Sequence, residues 1–554
     1  MKSHAPRTLT PSAVLVIALL CVAVTEAQTQ APPDAAHQVD AIFARWDSNT
    51  SPGCAVGVTL HGLTVMEGAY GMADLEHGVV NTPETIFEGG SLSKQFTAAA
   101  VILLVLDGRL SLDDDVRTYI PEVPEYGHTI TLRHMMTHTS GLRDWGSVAG
   151  ISGWGREQRS HDHDDVLDIV RRQTALNFEP GHEYSYSNTG FNLLAIVVAR
   201  VSGMSFADFS SARIFEPLGL RNTQWRDDYR RIVPARSSAY SSTGDGTWEI
   251  NRPIEDVHGN GGILTTVGDL GIWNQALVDG RLGGQEFVRM MHEQGHLADG
   301  SEIVYAAGLQ VRTFVGVPSV THTGATAGYR AFLGRYPDQG LSVAMLCNAS
   351  NVPTGATGGR IARIYLGDAV TDPADPDPSS GGDVAALEAY EGLYADPVTG
   401  STRELVVVDG MLRDGNARLI ASADDEFVVR GGSRRYVFSE EGDPRSEFRI
   451  DDWQYTDQRY ERVEPWAPTP NDLSDFVGIY RSEEAETTYR VSIDDGILAI
   501  WQRPNNTRSL GAMYRDTFRM RGSVIRFRRD DSGHVTALSL SLGRVYDMRF
   551  QRER

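Results

Sequence analysis

"EGGSLSKQFTAAAVILLVLDG", residues 88–108, places two glycines before Ser91 and Lys94, then runs without a charge to Leu106. With the two residues that follow it, it contains "SKQFTAAAVILLVLDGRL", residues 93–110, which reads as a strong buried helix. Ser91 and Lys94, three residues apart at its start, share one face. A helix N-terminus adds unpaired N–H groups and a positive dipole end, a setting that favours an alkoxide beside a neutral amine. By itself the pair also reads as an N-cap followed by a solvated surface charge.

The lysine count decides between these readings. The chain has 51 basic residues, and only Lys2 and Lys94 are lysine. Lys2 falls in a leader, so Lys94 is the one lysine among 49 basic residues of the mature protein. Arginine serves as the surface cation everywhere else. Guanidinium keeps its proton at any useful pH, whereas a buried amine can release one. The exception therefore points to proton chemistry.

The leader is "MKSHAPRTLTPSAVLVIALLCVAVTEAQTQ" at residues 1–30. Lys2 and Arg7 precede an apolar run from Ala13 to Val24, and Thr25 and Ala27 offer a cleavage site. This is the layout of a secretory signal peptide over residues 1–27. Cys21 follows the bulky Leu20, which argues against a lipoprotein. No later stretch is long and apolar enough to span a bilayer, so the mature protein is expected to be exported, periplasmic or secreted. A net charge of −22 without a basic stretch argues against nucleic acid as a partner. Cys54 and Cys347 sit in apolar, strand-like text, and the favoured reading is two buried thiols acting as small hydrophobes.

A chain of 554 residues exceeds one ordinary core. Residues 372–383, "DPADPDPSSGGD", read as a linker. Before it, over 28–371, helix-period and strand-period segments mix into a large α/β (α+β) domain. "TGFNLLAIVVARVSG" is a second buried helix, and "GCAVGVTLHG", "LTVMEGAYG", "YRAFLGRYP" and "LSVAMLCNA" are strands. After the linker the text turns to short strands and repeats itself. Gly392, Tyr394 and Asp409-Gly410 match Gly478, Tyr480 and Asp495-Gly496 at an offset of 86 residues. Asp425 and Phe427 match Asp516 and Phe518, and "DQRYER" at 457–462 matches "DMRFQR" at 547–552. The offset grows on the way, which puts an insertion near "WQRPNNTRSLG". Two β domains are expected, 384–468 and 469–554, each a small antiparallel barrel or sandwich with D-G turns.

Two more stretches carry chemistry. "FEPGHEYSYSNTGFNLL" holds Tyr186-Ser187-Asn188 between a loop and a helix, and "VTHTGATAGYRAFLGRY" holds His322-Thr323-Gly324 on a strand before a turn. Taken in order, "SLSK", "YSN" and "HTG", with "ITLRHMMTHTSGL", "FEPG" and "NGGILTTVGDLGIWNQAL" around them, resemble the penicillin-recognising serine hydrolases. These comprise class C-like β-lactamases, D-alanyl-D-alanine carboxypeptidases, D-aminopeptidases and related esterases. The resemblance covers roughly residues 37–370, and the twin β domains make the layout most like D-aminopeptidase. It implies a β-lactamase/transpeptidase-like catalytic domain in which Ser91 forms the acyl-enzyme. Lys94 would take its proton directly or through Tyr186, and Tyr186 would act as acid/base toward leaving group and water. Asn188 would bind the substrate amide and hold Lys94, His322, Thr323 and Gly324 would line the substrate, and the N–H groups of Ser91 and Ala325 would form the oxyanion hole.

One departure matters. Where β-lactamases of the group usually read K-T-G, His322 stands in place of the lysine. A histidine is mostly neutral above about pH 6.5, so a fixed cation for a substrate carboxylate is missing. "SHDHDDVLDIV", residues 160–170, could ligate a metal through His161, Asp162, His163, Asp164 and Asp165, but acidic residues commonly open a helix. No metal or other cofactor is needed by the catalytic plan. The leading expectation is hydrolysis of a small amide or peptide bearing an N-terminal D-residue. Behind it come an esterase, a D,D-carboxypeptidase or weak β-lactamase, and a non-catalytic penicillin-binding protein. In D-aminopeptidases a loop from a β domain reaches the cleft, and the inserted segment Arg503–Ser509 is the expected counterpart.

Overall fold

The computed structural model describes residues 31–371, 384–430, 432, 434–439, 445–452 and 458–553. The leader expected at 1–27 and the linker expected at 372–383 lie outside the described residues. The first domain is built on six strands: β1 (Cys54–Leu60), β2 (Leu63–Tyr70), β3 (Gln310–Phe314), β4 (Val317–Thr326), β5 (Tyr329–Tyr336) and β6 (Leu341–Cys347). They lie in the order β3-β4-β5-β6-β1-β2, every neighbouring pair antiparallel. The N-terminal hairpin thus completes a sheet whose other four strands follow some 240 residues later.

Both faces of this sheet are covered. Helices α1 (Ala35–Phe43) and α6 (Thr354–Leu366) pack on one side with Val56, Val58, Val343 and Met345. The long helical insertion packs on the other, against Ala55, Ala344 and Leu346. That is why β6 is buried at all seven positions and reads as an apolar run instead of an alternation. Within the insertion, α2 (Ser93–Leu106) and α5 (Asn188–Ser202) lie side by side, each buried around nearly its whole circumference. Helices apolar on all sides belong inside a large domain. The shorter α3 (Trp145–Ser152) and α4 (His163–Arg171) pack near the N-terminal end of α5.

The cysteines overturn one expectation. Cys54 and Cys347 are directly opposed on β1 and β6, and they form a disulfide, not two free thiols. Apolar surroundings describe either state equally well. Only the strand register brings together two residues 293 apart in sequence.

Past the linker, eight strands from Gly392–Ala395 to Gln458–Val463 close into an antiparallel barrel. Nine strands from Gly478–Ser482 to Val545–Arg552 form a second curled antiparallel sheet. Its two edge strands, Asn506–Ser509 and Gly511–Tyr514, are consecutive in the chain, so it is all but closed. The extra strand falls in the insertion that shifts the repeat offset. The repeat is visible atom by atom. Tyr394 and Tyr480 are both fully buried, and each hydroxyl donates to the carbonyl four residues back, Tyr390 at 3.1 Å and Phe476 at 2.8 Å. Asp409 and Asp495 open equivalent D-G turns at φ 53° and 48°, the positive φ that such two-residue hairpin loops require.

The two copies are packed differently. The first barrel keeps its own core around Tyr394, Tyr436 and Phe448. The core of the second, with Phe476, Tyr489 and Phe550, is continuous with that of the first domain. Tyr489 and Gln502 donate to the carbonyl of Ile151 at the end of α3 (2.9 and 2.7 Å), and Arg143 makes a buried 2.7 Å ion pair with Glu484. The second barrel is therefore part of the folded unit that carries the cleft.

The disulfide is directly testable. Chain expressed without residues 1–27 and denatured without reductant should show no free thiol to a colorimetric thiol reagent, and two after reduction. The Cys54→Ala/Cys347→Ala pair should lose about 2–4 kcal/mol of stability. Two reactive thiols before reduction would refute the pairing.

Candidate active site

Ser91 stands in a single 3₁₀ turn, Gly90–Leu92, that runs directly into α2. Two glycines make the placement possible. A Cβ on Gly90 would stand 2.7 Å from the Ala325 amide nitrogen, and one on Gly324 would stand 2.0 Å from the Gly89 carbonyl oxygen. No side chain fits either place, so the turn lies directly against β4. β3 stops pairing with β4 at Thr321. From His322 to Thr326, β4 therefore pairs with β5 alone, and its other edge faces the Ser91 turn.

Lys94 is wholly buried. Its Nζ lies 2.9 Å from Asn188 Oδ1, 2.7 Å from the Asn260 carbonyl oxygen and 3.1 Å from Ser91 Oγ. The first two are obligate acceptors and take one N–H each. A neutral amine has two N–H groups, so its lone pair is left facing the Ser91 hydroxyl. Burial holds the Lys94 pKa well below the ordinary lysine value, and the cation of Arg544 depresses it further. No carboxylate is ion-paired with Lys94 among the described residues. The group has lost the hydration that would keep it charged, and the carboxylate of Asp144, which acts on it without an ion pair, offsets this only in part.

Tyr186 stands beside Ser91, and its ring centroid lies 4.7 Å from Lys94 Nζ. Burial pushes its pKa up to about 12, against the opposing pull of Ser91 and Arg544. The phenol thus holds its proton and can donate it. Asn188 is the first residue of α5, its N–H donating to Asp144 Oδ2 at 2.8 Å. His138, from "MTHTSG", packs its ring 4.2 Å from that of Tyr186 and accepts from the Ser187 N–H at 3.2 Å. The three separated motifs are thereby held by one another.

His322 is buried and fully engaged. Its Nδ1 lies 2.7 Å from the Thr323 carbonyl, which can only accept, so Nδ1 carries the proton. Nε2 is then left to accept from the Tyr305 hydroxyl at 2.9 Å. Burial, then the charge of Lys94, lowers its pKa to about 3. The residue that replaces the family's lysine supplies no cation at working pH. Thr323 and Ala325 point to the exposed side of the strand, Gly324 to the buried one.

Sequence reasoning did not identify three contributors. Asn260 acts through a backbone carbonyl, and its side chain ties the loop to Asn192 at 2.8 Å. His138 lies in the flanking stretch "ITLRHMMTHTSGL", outside the three motifs. Arg544, on the hairpin turn between strands Val535–Leu542 and Val545–Arg552, holds its guanidinium 4.7 Å from the Tyr186 ring centroid. The turn is pinned by backbone: the Asp144 N–H and Asn177 Nδ2 both donate to the Arg544 carbonyl (3.2 and 3.1 Å). Asn177 Oδ1 accepts from the Tyr546 N–H at 2.8 Å. The segment expected to reach the cleft, Arg503–Ser509, does not. Arg503 docks on Ser152 at the end of α3 (Nε to carbonyl, 2.6 Å), and the Arg544 turn takes the place by Tyr186. In "SHDHDDVLDIV", Asp162 caps α4 with Asp165 in a reciprocal box. His161 and His163 bond the carbonyls of Trp154 and His258. The helix ends at Arg171.

The Beta-lactamase family model matches residues 39–366, more than half of the chain, and the chain belongs to that family of serine hydrolases. It is 30% identical over 296 residues to Penicillin-binding protein 4* of Bacillus subtilis (strain 168), a match spanning 50% of this chain and 64% of that protein. It is 26% identical over 463 residues to a D-aminopeptidase of Gluconobacter oxydans (strain 621H), spanning 81% of this chain and 82% of that one. The solved penicillin-binding protein homologue from Pyrococcus abyssi superimposes with a TM-score of 0.54 at 19% identity. That superposition covers 86% of this chain and 99% of the other, and it shows a shared fold. The β-lactamase-like catalytic domain followed by antiparallel β barrels is therefore established.

The electrostatics make a signed prediction. Catalysis by a neutral Lys94 is present above its folded pKa and lost as pH falls through it. Arg544→Ala removes a cation that depresses that pKa, so the acidic limb of kcat/KM should move to higher pH. Arg544→Lys should leave it in place. An unmoved limb in the alanine variant would show that Arg544 exerts no field on Lys94.

Proposed function

We propose that the chain is an exported serine hydrolase that works through an acyl-enzyme on Ser91 and releases N-terminal D-residues from small amides and peptides. The observation that carries this reading is the lone pair of Lys94, directed at Ser91 Oγ by two carbonyl acceptors that occupy its N–H groups. As Ser91 Oγ attacks the substrate carbonyl carbon, its proton passes to Lys94 Nζ. The new C–O bond pushes the carbonyl electrons onto oxygen, between the N–H groups of Ser91 and Ala325. Collapse breaks the C–N bond, and Tyr186 gives the departing amine its proton. The cation formed on Lys94 restores the proton to Tyr186. Water then attacks the acyl ester by the same route in reverse, and Ser91 regains its hydrogen.

The choice of an amide with a D-residue is supported by the relative of that name, whose match covers 81% of this chain and so extends beyond the catalytic domain. A neutral His322 supports it too, since it offers no fixed charge to a C-terminal or penicillin carboxylate. The Arg544 turn narrows the approach beside Tyr186, which favours small substrates. The sequence of residues 1–27 and a Cys54–Cys347 disulfide both suit an oxidising, extracytoplasmic compartment.

One panel tests the substrate: D-alanine p-nitroanilide, its L form, a p-nitrophenyl ester, a D-Ala-D-Ala peptide and a chromogenic cephalosporin. Selective turnover of the D-anilide is expected, and rapid cephalosporin hydrolysis would overturn the reading. Lys94→Arg keeps the charge but cannot accept a proton, so acylation of Ser91 by a fluorophosphonate should slow at least about 10²-fold. Ser91→Ala should abolish labelling. Near-normal labelling of the arginine variant would remove Lys94 from the mechanism.

A further inference from the structure

β4 continues past Ala325 to a cavity of 290 Å³ that the mechanism leaves unused. It begins at Ala325, Thr326 and Ala327 and is walled by Arg156, Glu157, Arg252, Glu255 and Arg330. Its position relative to Ser91 fixes which half of a substrate it meets. Tyr186, the group that serves the leaving amine, lies toward His322, with ring centroids 6.3 Å apart. A substrate laid along the open edge of β4 with its carbonyl at Ala325 sends its leaving group toward His322. Its acyl half then runs the other way, into this cavity.

The charges there are unequal. Arg156 is tied to Glu255 (Nε to Oε2, 2.8 Å), and Glu255 also lies 3.5 Å from Arg226. Arg226 pairs with Glu88 at 2.9 Å, and Glu88 holds Arg236 as well at 3.4 Å. These buried carboxylates are saturated. Arg252 donates to the Ser238 hydroxyl, which in turn donates to Asp74 at 3.0 Å. Arg330 stands apart. Its Nη1 donates to the carbonyls of Ala327 and Tyr329 at 2.9 and 2.7 Å, which locks the guanidinium in place without neutralising it. No carboxylate is ion-paired with Arg330 among the described residues. Glu157, exposed on the rim, is the acid that acts on it from a distance. Among the described residues the cavity therefore presents two cations without an ion-paired carboxylate, Arg330 held by backbone carbonyls and Arg252 on a hydroxyl at the exposed edge, and one free carboxylate, Glu157.

We propose that this cavity is the subsite for the acyl residue and selects an acidic one, taking its side-chain carboxylate on Arg330 and its α-ammonium on Glu157. An N-terminal D-glutamyl or D-aspartyl residue carries those two charges on one side of its carbonyl. A locked guanidinium has little freedom left to lose, so it discriminates a carboxylate from its isosteric amide efficiently. The proposal rests on the D-residue hydrolase reading above and adds to it the chemistry of the residue removed.

The test compares the p-nitroanilides of D-glutamate, D-glutamine and D-alanine with full-length enzyme. The D-glutamyl substrate should be turned over with kcat/KM at least about 10-fold above D-glutaminyl, its neutral isostere. In Arg330→Gln that ratio should fall to near one, and in Arg330→Lys much of it should return. Free D-glutamate should likewise inhibit the wild type more strongly than D-glutamine, a measurement that needs no variant to fold. Turnover of D-alanyl with no preference for D-glutamyl over D-glutaminyl would overturn the subsite and leave the hydrolase reading standing. Failure of all three anilides beside rapid ester or cephalosporin turnover would overturn both.

Discussion

A single amine taken out of water governs the cleft. Lys94 is enclosed in protein with carbonyl acceptors and, among the described residues, no paired carboxylate around it, so the fold has to tolerate a base that folding itself discharges. The unfolded chain holds the lysine proton up to about pH 10.4, whereas the folded chain releases it well below that. Between the two values the unfolded state binds the extra proton. Stability therefore rises with pH across that window and is eroded as pH falls through it. The cost is met by the two helices that flank the amine, α2 and α5, which bury nearly every side chain they carry. The loop at Gly259–Asn260 is fixed to them in turn, with Thr97 Oγ1 donating to the Gly259 carbonyl at 2.8 Å and Asn192 reaching Asn260.

What could be read in the sequence divides along physical lines. Lys94 was legible because arginine cannot do its work and the chain uses arginine wherever it can. The D-G turns of the β repeats were legible because positive φ demands particular residues, and Asp409 and Asp495 take it up. Asn260 was hidden because a backbone carbonyl leaves no trace in residue type. The Cys54–Cys347 bond was hidden because it depends on strand register. Arg544 was hidden twice over, as one arginine among many and on a hairpin more than 350 residues beyond Tyr186. The insertion at Arg503–Ser509 was a reasonable signal for a different feature. It builds the extra strand and the contact with α3.

The duplicated barrels have separated in role while keeping their internal signatures. Tyr394 and Tyr480 repeat the same hydroxyl-to-carbonyl bond, yet only the second barrel merges its core with the catalytic domain. Glu484 makes the buried ion pair with Arg143, next to Asp144, which orders Asn188. Arg143 Nη2 also donates to the Tyr546 carbonyl at 3.0 Å. A displacement of this barrel would thus be felt at Tyr186 through Arg544 and at Asn188 through Asp144. Both sit within the reach of the Lys94 amine.

That coupling explains why the cation beside Tyr186 is best supplied as arginine. A lysine at position 544 would supply the same field through the acidic limb, but, half-buried next to a buried amine, it would be open to losing its proton at higher pH, and its field on Lys94 would fade there. Guanidinium stays charged, so the depression of Lys94 is the same at every pH at which the enzyme works. The two histidines in the site are silent for the opposite reason. Burial holds His138 and His322 neutral, the latter with a pKa near 3, while burial keeps the Tyr186 phenol protonated up to about pH 12. Permanent charge on one side and suppressed titration on the other leave Lys94 free to change its protonation beside Ser91 without interference from His138, His322 or Tyr186. A cleft so arranged has its acidic limit set by one amine, whose pKa is adjusted from a separate domain.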